Sequence, residues 1–224
     1  MTSVLVLGDS HADCLNKKIY PNNDYQFNYE VLAVGGATAQ GAVNPNSKTN
    51  SIAKFTNHLT KSGKKNFVLI QLGEVDCGFV IWYRSEKHGI SIDEQIDLSI
   101  GNYKKFLEDV VTKYYAPEQI IVCSATLPTI HDNADKSMLA GQRSSVTASI
   151  HERTELTHRY NKRLRKMCQD MNYNWLDLTP DTIDESTGLV HDDWRHPLKT
   201  DHHLNPHKVW RLYEQGIKHI MGES

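Results

Sequence analysis

Five short, nearly unbroken apolar runs constrain this chain more than any other feature. Ser3 to Leu7, Tyr29 to Val34, Asn66 to Leu72, Gln119 to Cys123 and Tyr173 to Leu178 each read as a β-strand. A strand with one wet face alternates apolar and polar residues, whereas a strand covered on both faces stays apolar throughout. Runs of the second kind belong in a parallel sheet with helices packed on either side.

Helical patterns fill the intervals. Ser91-Ile92-Asp93-Glu94 has the spacing of a capping box, in which Ser and Glu satisfy each other's free backbone donors. Ile96, Ile100, Tyr103, Leu107, Val110 and Tyr114 then recur at steps of three and four, on one helical face. A second long pattern carries Val146, Ile150, Tyr160, Leu164, Met167 and Met171. The last helix is expected to start at Asn205-Pro206, a good cap with proline in the first turn. Val209, Leu212, Tyr213, Ile217 and Ile220 share its apolar face.

Strand–helix alternation without repeats or a Pro/Gly-rich linker predicts one α/β domain over 1–224. The expected architecture is a flavodoxin-like three-layer sandwich around a five-stranded parallel sheet. Asn44 to Asn50 and Thr129 to Gln142 lack a pattern and read as loops. The second is long enough to act as a lid, although an ordinary surface excursion fits it equally well.

Charge and composition exclude several functions. Lys+Arg is 25 against Asp+Glu 27, a formal net charge of −2. Nucleic acid and anionic membrane surfaces both demand a positive footprint that this balance does not supply. No apolar run nears the roughly 20 residues of a membrane span. Met1-Thr2-Ser3 shows no basic secretory leader, so cytoplasm is the expected location. Cys14, Cys77, Cys123 and Cys168 form no CxxC pair, which argues against a disulfide scaffold or structural zinc. Histidine is skewed: there are 12, six of them between His191 and His219.

Ligands of open α/β sheets collect at the carboxyl ends of the strands. Those ends carry Gly8-Asp9-Ser10-His11, Gly35-Gly36-Ala37-Thr38 and Gly73-Glu74-Val75-Asp76, and Asp201-His202-His203-Leu204-Asn205 precedes the last helix. A serine hydroxyl becomes a nucleophile when an imidazole takes its proton and a carboxylate holds that imidazole in the useful tautomer. A glycine lets backbone approach closely and offers its N–H to a developing oxyanion.

Together these four blocks, in this order along nearly the whole chain, resemble the SGNH/GDSL hydrolases. The resemblance implies Ser10 as nucleophile, His203 as general base and Asp201 as the residue that orients it. It implies an oxyanion hole made by the N–H groups of Ser10 and Gly36. Members of that family are mostly esterases, lipases, thioesterases and carbohydrate O-acetyl esterases, and some relatives transfer acyl groups to sugars. A small-molecule or glycan ester is the implied substrate, with no cofactor and no metal.

Two departures stand out. Val75 falls where the family has an oxyanion-donating Asn, and losing such a donor costs roughly a hundred- to a thousand-fold in rate. Arg84, Arg143 and Asn205 are candidate replacements. Glu74 beside an oxyanion would repel it unless protonated or paired with a cation such as Arg84. The second departure is spacing, since the family usually has Asp-x-x-His. Asp193-Trp194-Arg195-His196 keeps that spacing and is the reserve pair, and His202 is a further candidate base.

Each residue also has a plainer reading. Gly-Asp-Ser after a strand is often only a turn that caps the next helix, and Gly36 on its own is a simple turn. Glu74, Asp76 and Arg84 are candidate pocket residues, but capping or ion pairing explains the two acids equally well. His11, His191, His196 and His207 read as solvated loop histidines. Trp82 and Tyr83 fit a pocket wall or, more often, core. Cys77 reads as a small apolar residue. Arg159, Lys162, Arg163, Arg165 and Lys166 read as the wet face of a helix.

A serine ester hydrolase is therefore the leading expectation. Two alternatives remain. One is a metal-dependent hydrolase using ligands from His191, Asp192, Asp193, His196, Asp201, His202 and His203. The other is a non-catalytic binding module on a hydrolase fold, which Val75 would suit. Specificity is expected in loops such as 129–142.

Overall fold

A computed structural model of the chain describes residues 1–139 and 143–223. Ala140, Gly141 and Gln142, the end of the expected 129–142 loop, lie outside the described residues, as does Ser224.

The five expected strands form one parallel sheet: β1 (Ser3–Gly8), β2 (Asn28–Ala33), β3 (Phe67–Gln71), β4 (Ile120–Cys123) and β5 (Asn174–Leu176). Their spatial order is β2-β1-β3-β4-β5, that of flavodoxin-like folds. The winding reverses between β1 and β3, so a crevice opens where these neighbours end.

Burial of both sheet faces explains the apolar runs. Along β1, Leu5 and Leu7 enter one core while Val4 and Val6 enter the other, and all four are fully buried. The first core joins the sheet to α1 (Ser51–Lys61), α3 (Ile92–Asp109) and α4 (Ile150–Met171) through Phe55, Phe106, Tyr160 and Leu164. The second joins it to α6 (Pro206–Ile220) through Val209, Tyr213 and Ile217. Each fully buried aliphatic side chain contributes about 1.5–3 kcal/mol. Cys14, Cys77, Cys123 and Cys168 are free thiols buried in these cores. Burial pushes the Cys77 thiol well up, as expected of an apolar filler.

Local signals set the helix ends. Ser91 and Glu94 form the expected capping box of α3, and Asn205 caps α6 with Pro206 at its start. α3 closes at Asp109, so Val110 and Tyr114 lie beyond it. Two consecutive β-branched valines, Val110 and Val111, follow that end. α4 starts later than the apolar pattern suggests. Ser149 and Glu152 form a second capping box, leaving Val146 outside the helix. Between β3 and α3 lie a wide turn over Asp76–Val80 and the helix α2 (Ile81–His88).

A short helix α5 (Thr179–Thr182) and a hairpin of β6 (Ile183–Asp184) and β7 (Leu189–Val190) were not legible in the sequence. Two-residue strands are too short to show a period. The hairpin leads into the segment that carries most of the late histidines. No helix among the described residues is long and apolar enough to cross a membrane.

Candidate active site

β1 delivers Ser10 to the crevice. The Asp9 N–H donates to the Gln71 carbonyl at 3.0 Å, tying the strand end to β3. Asp9, fully buried, then caps a tight turn over Ser10–Leu15. Ser10 opens that turn with its side chain half-exposed.

α6 delivers the partner from the other end of the chain. The segment before it is closed on itself: Arg195 bridges Leu204, the Asn205 N–H donates to the Trp194 carbonyl at 2.8 Å, and the His196 N–H to the His203 carbonyl at 3.3 Å. The loop thus formed presents His203. Its Nε2 lies 2.8 Å from the Ser10 Oγ, and its Nδ1 lies 2.6 Å from the Asp201 Oδ1. A carboxylate only accepts, so Nδ1 carries the proton and Nε2 is left to accept from the serine. The two-residue spacing works because Asp201 Oδ1 also accepts the His203 main-chain N–H at 2.9 Å. Burial alone would raise Asp201, but its bonds to His203 hold it well below the usual carboxylate range.

The same motif occurs beside the serine. Asp9 Oδ1 accepts the His11 main-chain N–H at 2.9 Å and its ring Nδ1–H at 3.0 Å. His11 is therefore buried, not solvated. Burial lowers its basicity, yet Asp9 and then Glu74 outweigh burial and raise it. The ring of His203 lies 4.5 Å from that of His11 and 4.1 Å from that of His202. Burial takes His202 down to about 3, with Arg143, His11 and His203 acting the same way against Glu74. His202 is accordingly neutral, and its ring does not reach Ser10 as a hydrogen-bond partner.

Behind these rings Glu74 is buried, 3.9 Å from His11 Nδ1. Its cation is Arg143, which donates to both carboxylate oxygens at 2.9 and 2.6 Å. This corrects the expected pairing with Arg84. Burial would raise Glu74, but Arg143 and the nearby histidines bring it down to about 2.

Gly36 follows β2, the neighbour of β1, and Gly8 stands opposite Ala33 in the register. The Gly36 φ of +72° is one that an L side chain rarely adopts. Asp76 supports this turn from below. Fully buried, it accepts the Ala39 and Gln40 N–H groups at 2.8 and 2.9 Å and the Ser99 hydroxyl at 2.8 Å. The main-chain N–H groups of Ser10 and Gly36 have no protein acceptor among the described residues.

Val75 offers no donor. Of its candidate replacements, Arg143 is committed to Glu74, and Asn205 turns its side-chain oxygen to the His207 N–H. Arg84 sits on α2, away from the cleft at Ser10.

That cleft has a volume of about 190 Å³. Ser10, Asp201 and His203 share it with Cys14, Ile19, Tyr20, Thr126, Leu204 and Val209. Glu74, Asp76 and Arg84 do not line this cleft. The two acids hold neighbouring groups in place instead. A broader, more polar cleft of about 720 Å³ adjoins it, sharing His196 and Asp201 and adding Thr129, Asp135, Asp192, Arg195 and Lys199.

The reserve pair does not form. Asp193 faces His191 at 3.8 Å, and His196 faces Asp201 at 3.7 Å. Nor do the late histidines and acids converge as a metal-ligand set. Among the described residues the one group close enough is His11, His202 and His203. Trp82 donates to the Cys77 carbonyl, while Tyr83 is exposed and stacks on Phe79. On the α4 face, Arg159 and Arg163 pair with Asp93 of α3, and Lys166 pairs with Asp170.

Sequence reasoning missed His11 and the Glu74–Arg143 pair. Asp-x-His occurring twice was the available signal for His11. Nothing local marks Arg143, which lies 69 residues from its partner.

No protein-family model matches the chain, and no curated protein matches it by sequence. Solved structures do. A GDSL-like lipase from Bacteroides thetaiotaomicron superposes with a TM-score of 0.60 at 12% identity, over 99% of this chain and 88% of that one. An acetyl xylan esterase gives 0.54 at 14% identity, over 98% of each chain. A lipase/acylhydrolase from Enterococcus faecalis gives 0.52 at 14%, over 99% and 95%. At that distance in sequence the common property is the architecture, and this chain has the three-layer α/β fold of the SGNH/GDSL hydrolases that its four motifs resemble.

Proposed function

We propose that this protein is a serine ester hydrolase that removes short acyl groups, with O-acetylated carbohydrate as its substrate class. One observation carries the reading: Ser10 Oγ, His203 Nε2, His203 Nδ1 and Asp201 Oδ1 stand in an unbroken line of hydrogen bonds of 2.8 and 2.6 Å.

In this reading Ser10 Oγ attacks the acyl carbon as His203 Nε2 takes its proton. Asp201 holds the imidazole in its tautomer and stabilises the imidazolium. The free N–H groups of Ser10 and Gly36 receive the oxyanion. The tetrahedral intermediate expels the alcohol, which takes the proton from His203. Water, deprotonated by the same nitrogen, then releases the acid from Ser10.

The small cleft supports a short acyl group, because Cys14, Ile19, Leu204 and Val209 give it an apolar wall of limited extent. The adjoining polar cleft supports a hydroxyl-rich alcohol. Four of the superposable structures are acetyl-xylan or acetyl-xylooligosaccharide esterases.

A fluorophosphonate probe tests the chemistry. Wild-type protein is expected to label on Ser10, and Ser10→Ala to label nowhere. Acetylated xylo-oligosaccharide is expected to be cleaved faster than long-chain esters. Equal labelling of Ser10→Ala, or no labelling of the folded wild type, refutes the proposal.

A further inference from the structure

Three imidazoles meet at the crevice, and only one of them has a place in the proposed reaction. One ring nitrogen from each of His11, His202 and His203 lies within 4.8 Å of the others. We propose that this cluster is a binding site for a zinc-class divalent cation, and that the cation switches the serine centre off.

The chemistry of the three rings supports a transition metal. Histidines that bind zinc commonly give their second nitrogen to a carboxylate, which fixes the ring and strengthens the donor. Here that arrangement exists twice before any metal arrives. Asp9 takes Nδ1 of His11 at 3.0 Å and Asp201 takes Nδ1 of His203 at 2.6 Å. In both rings Nε2 is the nitrogen left over. His11 Nε2 reaches only the His202 carbonyl, at a long 3.4 Å. The ring of His202 makes no hydrogen bond among the described residues, so it gives up nothing by coordinating.

The surrounding charge also favours a dication. Asp9, Glu74 and Asp201 stand around the rings against the single guanidinium of Arg143. Zinc–imidazole bonds of about 2.0–2.1 Å place the ligand nitrogens roughly 3.4 Å apart in a tetrahedron. Closing from 4.8 Å therefore asks for side-chain rotation of about an ångström, which half-buried His202 and His203 can supply. The fourth position falls to water or to Ser10 Oγ. Any proton on His11 Nε2 is released to solvent.

Coordination engages the lone pair of His203 that the Ser10 proton would need, hence the inhibition. The inhibition rests on the hydrolase reading, whereas the binding does not.

Tag-free, chelator-treated protein is titrated with ZnCl2 by calorimetry and with CoCl2 by visible absorption. One equivalent is expected to bind, with the intense visible bands of four-coordinate cobalt. His202→Ala and His202→Asn are each expected to weaken binding by at least about tenfold, and His88→Ala, on the exposed end of α2, to leave it unchanged. Circular dichroism checks that the variants fold. Wild-type protein supplies an independent measurement, since zinc should protect His11, His202 and His203 from diethyl pyrocarbonate. Zinc should also slow fluorophosphonate labelling. Less than a tenth of an equivalent bound, binding unaltered in both folded His202 variants, or no protection of the three histidines overturns the site. A protein that binds zinc here but never labels on Ser10 keeps the metal site and loses the hydrolase; one that labels but binds no zinc does the reverse.

Discussion

Asp201 holds His203 with a single oxygen, accepting both its main-chain N–H at 2.9 Å and its ring Nδ1–H at 2.6 Å. The backbone bond makes a small Asx turn, and the turn brings the imidazole back over its own carboxylate. A spacing of two residues therefore lets one carboxylate oxygen hold both the main chain and the ring of the same histidine. Asp9 and His11 repeat the geometry at the other side of the crevice.

Asp201→Asn tests the first clamp. The amide keeps an acceptor for the backbone but no longer selects the tautomer with Nε2 free. A fall in kcat of about 10⁴ is expected, with the fold unchanged by circular dichroism. A loss under tenfold would show that Asp201 does not orient the base.

Val75→Asn is expected to raise kcat/KM on an acetyl ester by at least about tenfold. It restores a donor whose absence costs roughly a hundred- to a thousand-fold elsewhere. Steady-state kinetics check it, and an unchanged or lower value would mean that the oxyanion is complete without a side chain at this position.

Arg143→Met strips Glu74, only 4% exposed, of its two-bond cation and leaves it the more distant His11 imidazole at 3.9 Å. A loss of about 3–5 kcal/mol is expected. The double variant Glu74→Gln, Arg143→Met should recover much of it, since the buried charge is then gone. Urea unfolding of wild type, Arg143→Met, Glu74→Gln and the double variant gives the coupling. Additive losses would mean that the pair is not energetically linked.

Asp76→Ala removes the acceptor of three hydrogen bonds under the Gly36 turn. Two buried backbone N–H groups lose their partner, and stability should fall by about 3 kcal/mol or more. An unfolding midpoint close to wild type would exclude the supporting role.

His11 makes stability depend on pH with a definite sign. Its basicity is raised above the ordinary 6.5, despite burial, by Asp9 and Glu74. Its contribution is therefore complete below that value and is lost as pH climbs through the higher, folded one. The stability margin of wild type over His11→Asn should shrink between about pH 6 and pH 9. Unfolding curves at the two pH values check this, and a constant or widening margin would contradict it.

Much of the architecture was written locally. Apolar runs without alternation announced a doubly covered parallel sheet, and Ser91 with Glu94 and Asn205 with Pro206 marked helix starts through bonds made within a few residues. Those interactions depend on near neighbours, so a one-dimensional reading reaches them. It failed where length was short, as in β6 and β7, and where a second cap moved the start of α4 past Val146.

The residue types of the site, and the strand ends that would carry them, were likewise legible. The meeting of Ser10 with His203 across 193 positions was a property of the folded chain, as was the choice of Asp201 over Asp193. So were the burial of His11 and the pairing of Glu74 with Arg143 instead of Arg84. The reason is physical. A side chain's charge state and partner depend on what excludes water around it, and in this protein that enclosure is built by segments far apart in sequence.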